Sequence, residues 1–156
     1  MKSNRDPRRS LNFLDSCAFD PKYAPEHEAA EKIRQFYNEG AVVLNLTHSN
    51  QNEIDHWNTP AEVKGQAALL ICSLETSLNP GEHKQKAAIH NILAGNGNPE
   101  KFAADAAHVF EAAKYHGYFI TTDERILQKK AEIESVCAAV VVRPSQWLSI
   151  FKSESK

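Results

Sequence analysis

No stretch of this 156-residue chain approaches the roughly 20 consecutive apolar residues that a bilayer-spanning helix needs. The opening Met1 to Arg9 has no apolar core of a signal peptide, so a cytoplasmic location is expected. Cysteine is scarce. Cys17, Cys72 and Cys137 are odd in number and far apart, without the paired short spacing of a zinc ribbon, and read as reduced thiols. Neither sign of charge dominates: 18 Lys and Arg stand against 20 Asp and Glu, a formal net charge of -2. Binding to nucleic acid would therefore need a local basic patch. Lys2, Arg5, Arg8 and Arg9 are one candidate, although residues 1–10 read more simply as a flexible, solvated tail. There is no internal repeat, low-complexity tract or linker. With 42% hydrophobic and 24% charged residues, the chain is expected to form one domain over residues 1–156 with a core of its own.

Apolar periodicity gives alternating strands and helices. Leu11 to Leu14 is a short apolar strand ending at Asp15-Ser16. A helix opens at Pro25, carries Ala29, Ile33, Phe36 and Tyr37 on one face and stops at Gly40. Ala41 to Leu46 is a continuous apolar strand, as expected where both sheet faces are covered. Glu53 to Trp57 suits a short helix, Pro60 to Leu78 a longer one, and Lys84 to Leu93 another after the Asn79-Pro80-Gly81 break. Asn98 caps a helix that Gly117 ends. Then come a strand over Tyr118 to Thr121, a helix from Thr122 or Asp123 to about Glu134, a strand over Ala138 to Val142 and a closing helix, Gln146 to Phe151. Such alternation implies right-handed crossovers, a mostly parallel sheet and a three-layer α/β/α sandwich.

In open α/β sheets the ligand crevice lies beyond the carboxyl ends of the strands, where strand order reverses. Asp15, Glu53, Asp105 and Asp123 reach that edge if the strands at Leu11, Ala41 and Tyr118 are neighbours and the Asn98 helix packs beside them. Clustered carboxylates repel unless a cation sits among them. A hard oxygen set without cysteine or dedicated histidine ligands favours Mg²⁺ or Mn²⁺ over zinc. Such an ion polarises phosphorus and activates water, which is what phosphodiester hydrolysis requires.

Each acid also has a purely structural explanation. Asp123 suits a helix N-cap, Asp15 a turn, and Glu53 the first turn of a helix. Asp105 sits too far along a helix starting at Asn98 to cap it, and its alanine neighbours let another element approach. His108, three residues on, is placed to hydrogen-bond Asp105 or simply to pack. Ser16, Thr121 and Thr122 can orient water or phosphate, or serve as turn and cap residues. His48, Asp55 and His56 flank Glu53 and read as facing water. Trp57 and Trp147 suit base stacking or, more simply, core or interface packing.

Asp15-Ser16 after the first strand, Glu53 after the second, Asp105-Ala106-Ala107-His108 on an alanine-rich helix and Phe119-Ile120-Thr121-Thr122-Asp123 together resemble the PIN-domain nucleases. The ending Val140-Val141-Val142-Arg143-Pro144-Ser145-Gln146-Trp147-Leu148 is similar to that family's last strand and helix. The resemblance implies a Rossmann-like fold and a Mg²⁺- or Mn²⁺-dependent endoribonuclease, often a VapC-type toxin with an antitoxin partner, and commonly a homodimer. Its acidic ligands carry over to Asp15, Asp105 and Asp123, and to Glu53. The long middle stretch, Asn58 to Gly97, and Ser16-Cys17-Ala18 after Asp15 depart from the toxin pattern. The alternative is a catalytically silent PIN-like domain that binds RNA or protein. A phosphatase or receiver-like domain ranks below both, since Val142 leads into Arg143 and Pro144 where a receiver needs lysine.

Overall fold

A computed structural model describes residues 5–18, 21–46, 71–72 and 77–154. Its strands are β1 (Leu11–Leu14), β2 (Val43–Leu46), β3 (Ile71–Cys72), β4 (Tyr118–Ile120) and β5 (Val140–Val142). They form one sheet in the order β3-β2-β1-β4-β5, and every neighbouring pair is parallel. The chain steps outward from β1 to β3, then returns to the other side of β1. Strand order thus reverses between β1 and β4, which makes their carboxyl ends the crevice.

Helices cover both faces, completing a three-layer α/β/α sandwich. On one side lie α1 (Glu26–Asn38) and α6 (Pro144–Ser153), over Leu14, Leu44, Tyr118, Ile120, Val140 and Val142. On the other lie α2 (Pro80–Ala94), α3 (Ala103–Lys114) and the short α4 (Glu124–Leu127) and α5 (Lys130–Val136), over Phe13, Phe119 and Val141. The strand side chains alternate between the two cores, as the period of two demands. Gly40, at φ 78°, ends the first helical segment, a conformation that other residues adopt at a cost. Gly117, between α3 and β4, is required for space: a Cβ there would stand 2.8 Å from the Leu11 carbonyl oxygen.

Four expectations change. Ile71–Cys72 pairs in parallel with β2 as a strand, inside the stretch expected to be a helix from Pro60 to Leu78. The apolar run Leu69-Leu70-Ile71-Cys72 satisfies either period over so short a length. Asn79-Pro80-Gly81 starts a helix rather than breaking one: Asn79 Oδ1 accepts from Glu82 N at 2.8 Å while Glu82 Oε1 accepts from Asn79 N at 3.0 Å. The helix from Asn98 is a 3₁₀ turn, Pro99–Phe102, followed by α3. Asp105 consequently lies in the first turn of α3 instead of mid-helix. Finally, residues 5–10 are packed: Pro7 is buried, Arg8 stacks on the Phe151 ring at 3.7 Å, and the Tyr118 hydroxyl donates to Arg5 O.

Among the described residues, no helix is long and apolar enough to cross a membrane. The segment from Glu53 to Trp57, with His48, Asp55 and His56, falls outside them.

Candidate metal centre

β1 and β4 end side by side, with Leu14 in register with Ile120. Asp15 N donates to Ile120 O at 2.9 Å, and Thr121 N donates to Val142 O at 2.9 Å, so the ladder extends past both strands and fixes their exits. Two hydroxyls then join the two loops. Thr121 Oγ1 donates to Asp15 Oδ2 at 2.7 Å and accepts from Asp123 N at 3.1 Å. Across the same gap, Thr122 Oγ1 donates to Cys17 O at 3.2 Å.

Cys17 follows Asp15 in the 3₁₀ turn Ser16–Ala18. The residue as a whole is exposed, yet its Sγ faces inward, 3.4 Å from both Asp15 Oδ2 and Thr121 Oγ1. Burial of the sulfur, and then the Asp15 charge, pushes the thiol up to about 12. The protonated thiol is thus a donor to Asp15 rather than a nucleophile.

Asp123 caps α4, its Oδ1 accepting from Arg125 N at 2.9 Å. The Arg125 guanidinium grips the same carboxylate, with Nε 3.2 Å from Oδ1 and Nη2 2.8 Å from Oδ2. Burial alone would raise the Asp123 carboxyl, but the hydrogen bonds and charge of Arg125 outweigh it and hold the group below the usual carboxylate range. Of the explanations offered by the sequence, the helix cap describes this residue.

Asp105 projects from the first turn of α3 toward the same edge, and its Oδ2 lies 3.5 Å from Arg125 Nη2. Burial, then the charges of Asp123 and Asp15, raises its carboxyl from 3.8 to about 6, against the opposing pull of Arg125 and His108. The helix N-terminus and a neighbouring arginine both favour an ionised aspartate. Desolvation and like charge win here. His108 is buried one turn along α3, on the side from which its positive form would stabilise Asp105.

The fold therefore brings Asp15, Asp105 and Asp123, from three distant parts of the chain, within electrostatic reach of one another. Glu53 lies outside the described residues, and of Ser16 only its place in the turn is described. Among the described residues, no three His, Cys, Asp or Glu side chains close around one point to hold a metal ion. The donor set nonetheless suits a hard cation, because a positive group already bridges two of the carboxylates at 2.8 and 3.5 Å. Arg125 and Cys17 were not singled out from the sequence. The signal for Arg125 was its place two residues after an N-cap, where a side chain folds back onto the cap. Comparison with protein-family models finds none that matches the chain, and no curated protein matches it either.

Proposed function

We propose that this protein is a divalent-metal-dependent endoribonuclease whose centre is built from Asp15, Asp105 and Asp123, with Glu53 as a further acid. One observation carries the reading. Three carboxylates stand within electrostatic reach of one another at the strand-order reversal, and Arg125 Nη2 comes only to 3.5 Å of Asp105 Oδ2; burial first, then the charges of Asp123 and Asp15, raises the Asp105 carboxyl to about 6. A fold that keeps a carboxylate under such strain gains nothing in stability from it, and perturbed groups of this kind concentrate at functional sites. RNA as the substrate is supported by the likeness of the acidic motifs to those of PIN-domain nucleases.

A Mg²⁺ or Mn²⁺ ion at this edge would supply Lewis acidity and an activated water for attack on phosphorus. The residues of the chain do the positioning. Thr121 fixes Asp15 and the Asp123 backbone relative to each other through one hydroxyl. The protonated Cys17 thiol donates a hydrogen bond to Asp15 and helps to orient that carboxylate. Asp105, anionic above pH 6, brings negative charge from α3 to meet the two strand loops.

The test is cleavage of single-stranded RNA with Mn²⁺, with and without a chelator. Asp105→Asn is expected to lower the metal-dependent rate by about 100-fold or more while the circular dichroism spectrum stays unchanged. Equal cleavage by the variant and wild type removes the assigned role. The Arg125 bridge favours a second reading, an RNA- or protein-binding module whose acids are permanently neutralised. In that case RNA would be bound and left intact at every Mn²⁺ concentration.

A further inference from the structure

Arg125 sits where a cation belongs. Its guanidinium takes Asp123 through two nitrogens and reaches Asp105 with the same Nη2, while its Cζ lies 5.6 Å from the centroid of the Phe102 ring. Both Asp123 oxygens consequently face arginine N–H groups, Oδ1 through Nε and Oδ2 through Nη2. A carboxylate oxygen has two lone-pair sites, so the cap bond from Arg125 N to Oδ1 can persist while a second partner binds. A divalent ion bridging Asp123 Oδ2 and Asp105 Oδ2 would have to stand where Nη2 now stands, 2.8 and 3.5 Å from them.

We infer that Arg125 is a built-in, displaceable counter-cation: it neutralises the Asp105–Asp123 pair in the metal-free protein and must swing out before a divalent ion binds. The inference rests on the proposal that these acids hold such an ion.

Displacement requires no backbone change. The side chain is about half exposed (49%), and its contacts to Asp123 span only two residues, so rotation about its own side-chain torsions frees it. The attachment is asymmetric. Asp123 holds the fork firmly, whereas the 3.5 Å approach to Asp105 is an ion pair beyond good hydrogen-bond length. Asp105 is therefore the under-compensated member, and an incoming ion gains most by binding there. Once released, the arginine remains tethered beside the centre as a planar donor suited to phosphate oxygens. A phosphodiester that engages Arg125 would thereby favour metal entry, and metal entry would favour the phosphodiester, because coupling between sites is reciprocal.

The test is titration of the intact chain with Mn²⁺ in the absence of RNA, followed by electron paramagnetic resonance of the free ion and by the thermal midpoint. Arg125→Gln is expected to bind Mn²⁺ about tenfold more tightly than wild type, within the usual range of such couplings. Its melting temperature should be lower than wild type without metal, and it should gain more from saturating Mn²⁺. Arg125→Lys keeps the charge without the two-pronged grip and should fall between them, which serves if the glutamine variant does not fold. Unchanged or weaker Mn²⁺ binding in Arg125→Gln, with wild type binding normally, overturns the counter-cation role and leaves the metal centre standing. If neither wild type nor variant binds Mn²⁺, the metal centre itself falls, and this inference with it.

Discussion

As an anion, Asp105 works against the stability of the fold. Unfolded, it titrates near 3.8; folded and metal-free, near 6. Between those values the native state keeps a proton that the unfolded chain has lost. Stability therefore falls as pH rises from about 4 to about 6, and the penalty persists above that range. After allowance for solvent screening at this partly exposed site, it amounts to about 1–2 kcal/mol. Asp105→Asn should accordingly stabilise the metal-free protein at pH 7.5 by about that much, with the difference vanishing near pH 4, as read by urea denaturation. A variant less stable than wild type at pH 7.5 would contradict this account of the carboxylate. His108, expected to pack or to bond Asp105, is buried in the same helix, and its effect on Asp105 is electrostatic.

Among the elements, helix starts carry much of the specific polar chemistry. Glu26, in the first turn of α1, is buried and accepts from Ser145 N at 2.8 Å and Ser145 Oγ at 2.9 Å, so one helix caps the start of another. Glu26→Ala should cost about 2 kcal/mol in a denaturation experiment by leaving these donors unpaired. A Mn²⁺ titration should not distinguish this variant from wild type, since these helices cover the face opposite α3, which carries Asp105 of the proposed centre. The four longer strands and the α1 stripe were legible in the sequence because their apolar spacing has one interpretation. Other features were not. Ile71–Cys72 is too short to show a period, and its role as an edge strand is settled by β2 beside it. The helix expected from Asn98 gave no warning that its first turn is 3₁₀, and that shift moves Asp105 from mid-helix to a helix start. The acid positions at the strand exits were legible for a different reason. A short apolar run followed by Asp15, or by Thr121-Thr122-Asp123, ends at the same sheet edge whatever the exact helix bounds. What the sequence did not reveal was Arg125, whose reach depends on side-chain direction and leaves no trace in periodicity.

At the scale of the whole molecule, the sheet separates two cores, and Trp147 anchors one of them. Its ring is fully buried, stacked on Phe151 at 5.3 Å, and its Nε1 donates to Asn12 Oδ1 at 2.9 Å. Of the roles the sequence allowed for Trp147, base stacking, core packing or an interface, the structure shows core packing. Asn12 Nδ2 in turn reaches Pro7 O at 3.0 Å and Val43 O at 3.0 Å, so α6, β1, β2 and the N-terminal turn share one polar link through the apolar layer. Trp147→Phe should cost about 2–4 kcal/mol, from the smaller ring and the unpaired Asn12 oxygen, measured by chemical denaturation. The acids lie at the sheet edge beyond these side chains, so a Mn²⁺ titration of the folded variant should match that of wild type. An indole shielded from water on every side also emits at short wavelength and resists collisional quenchers. In a Trp57→Phe background its fluorescence would report the opening of the α1/α6 layer alone, and so time that layer's unfolding separately from the one that carries Asp105.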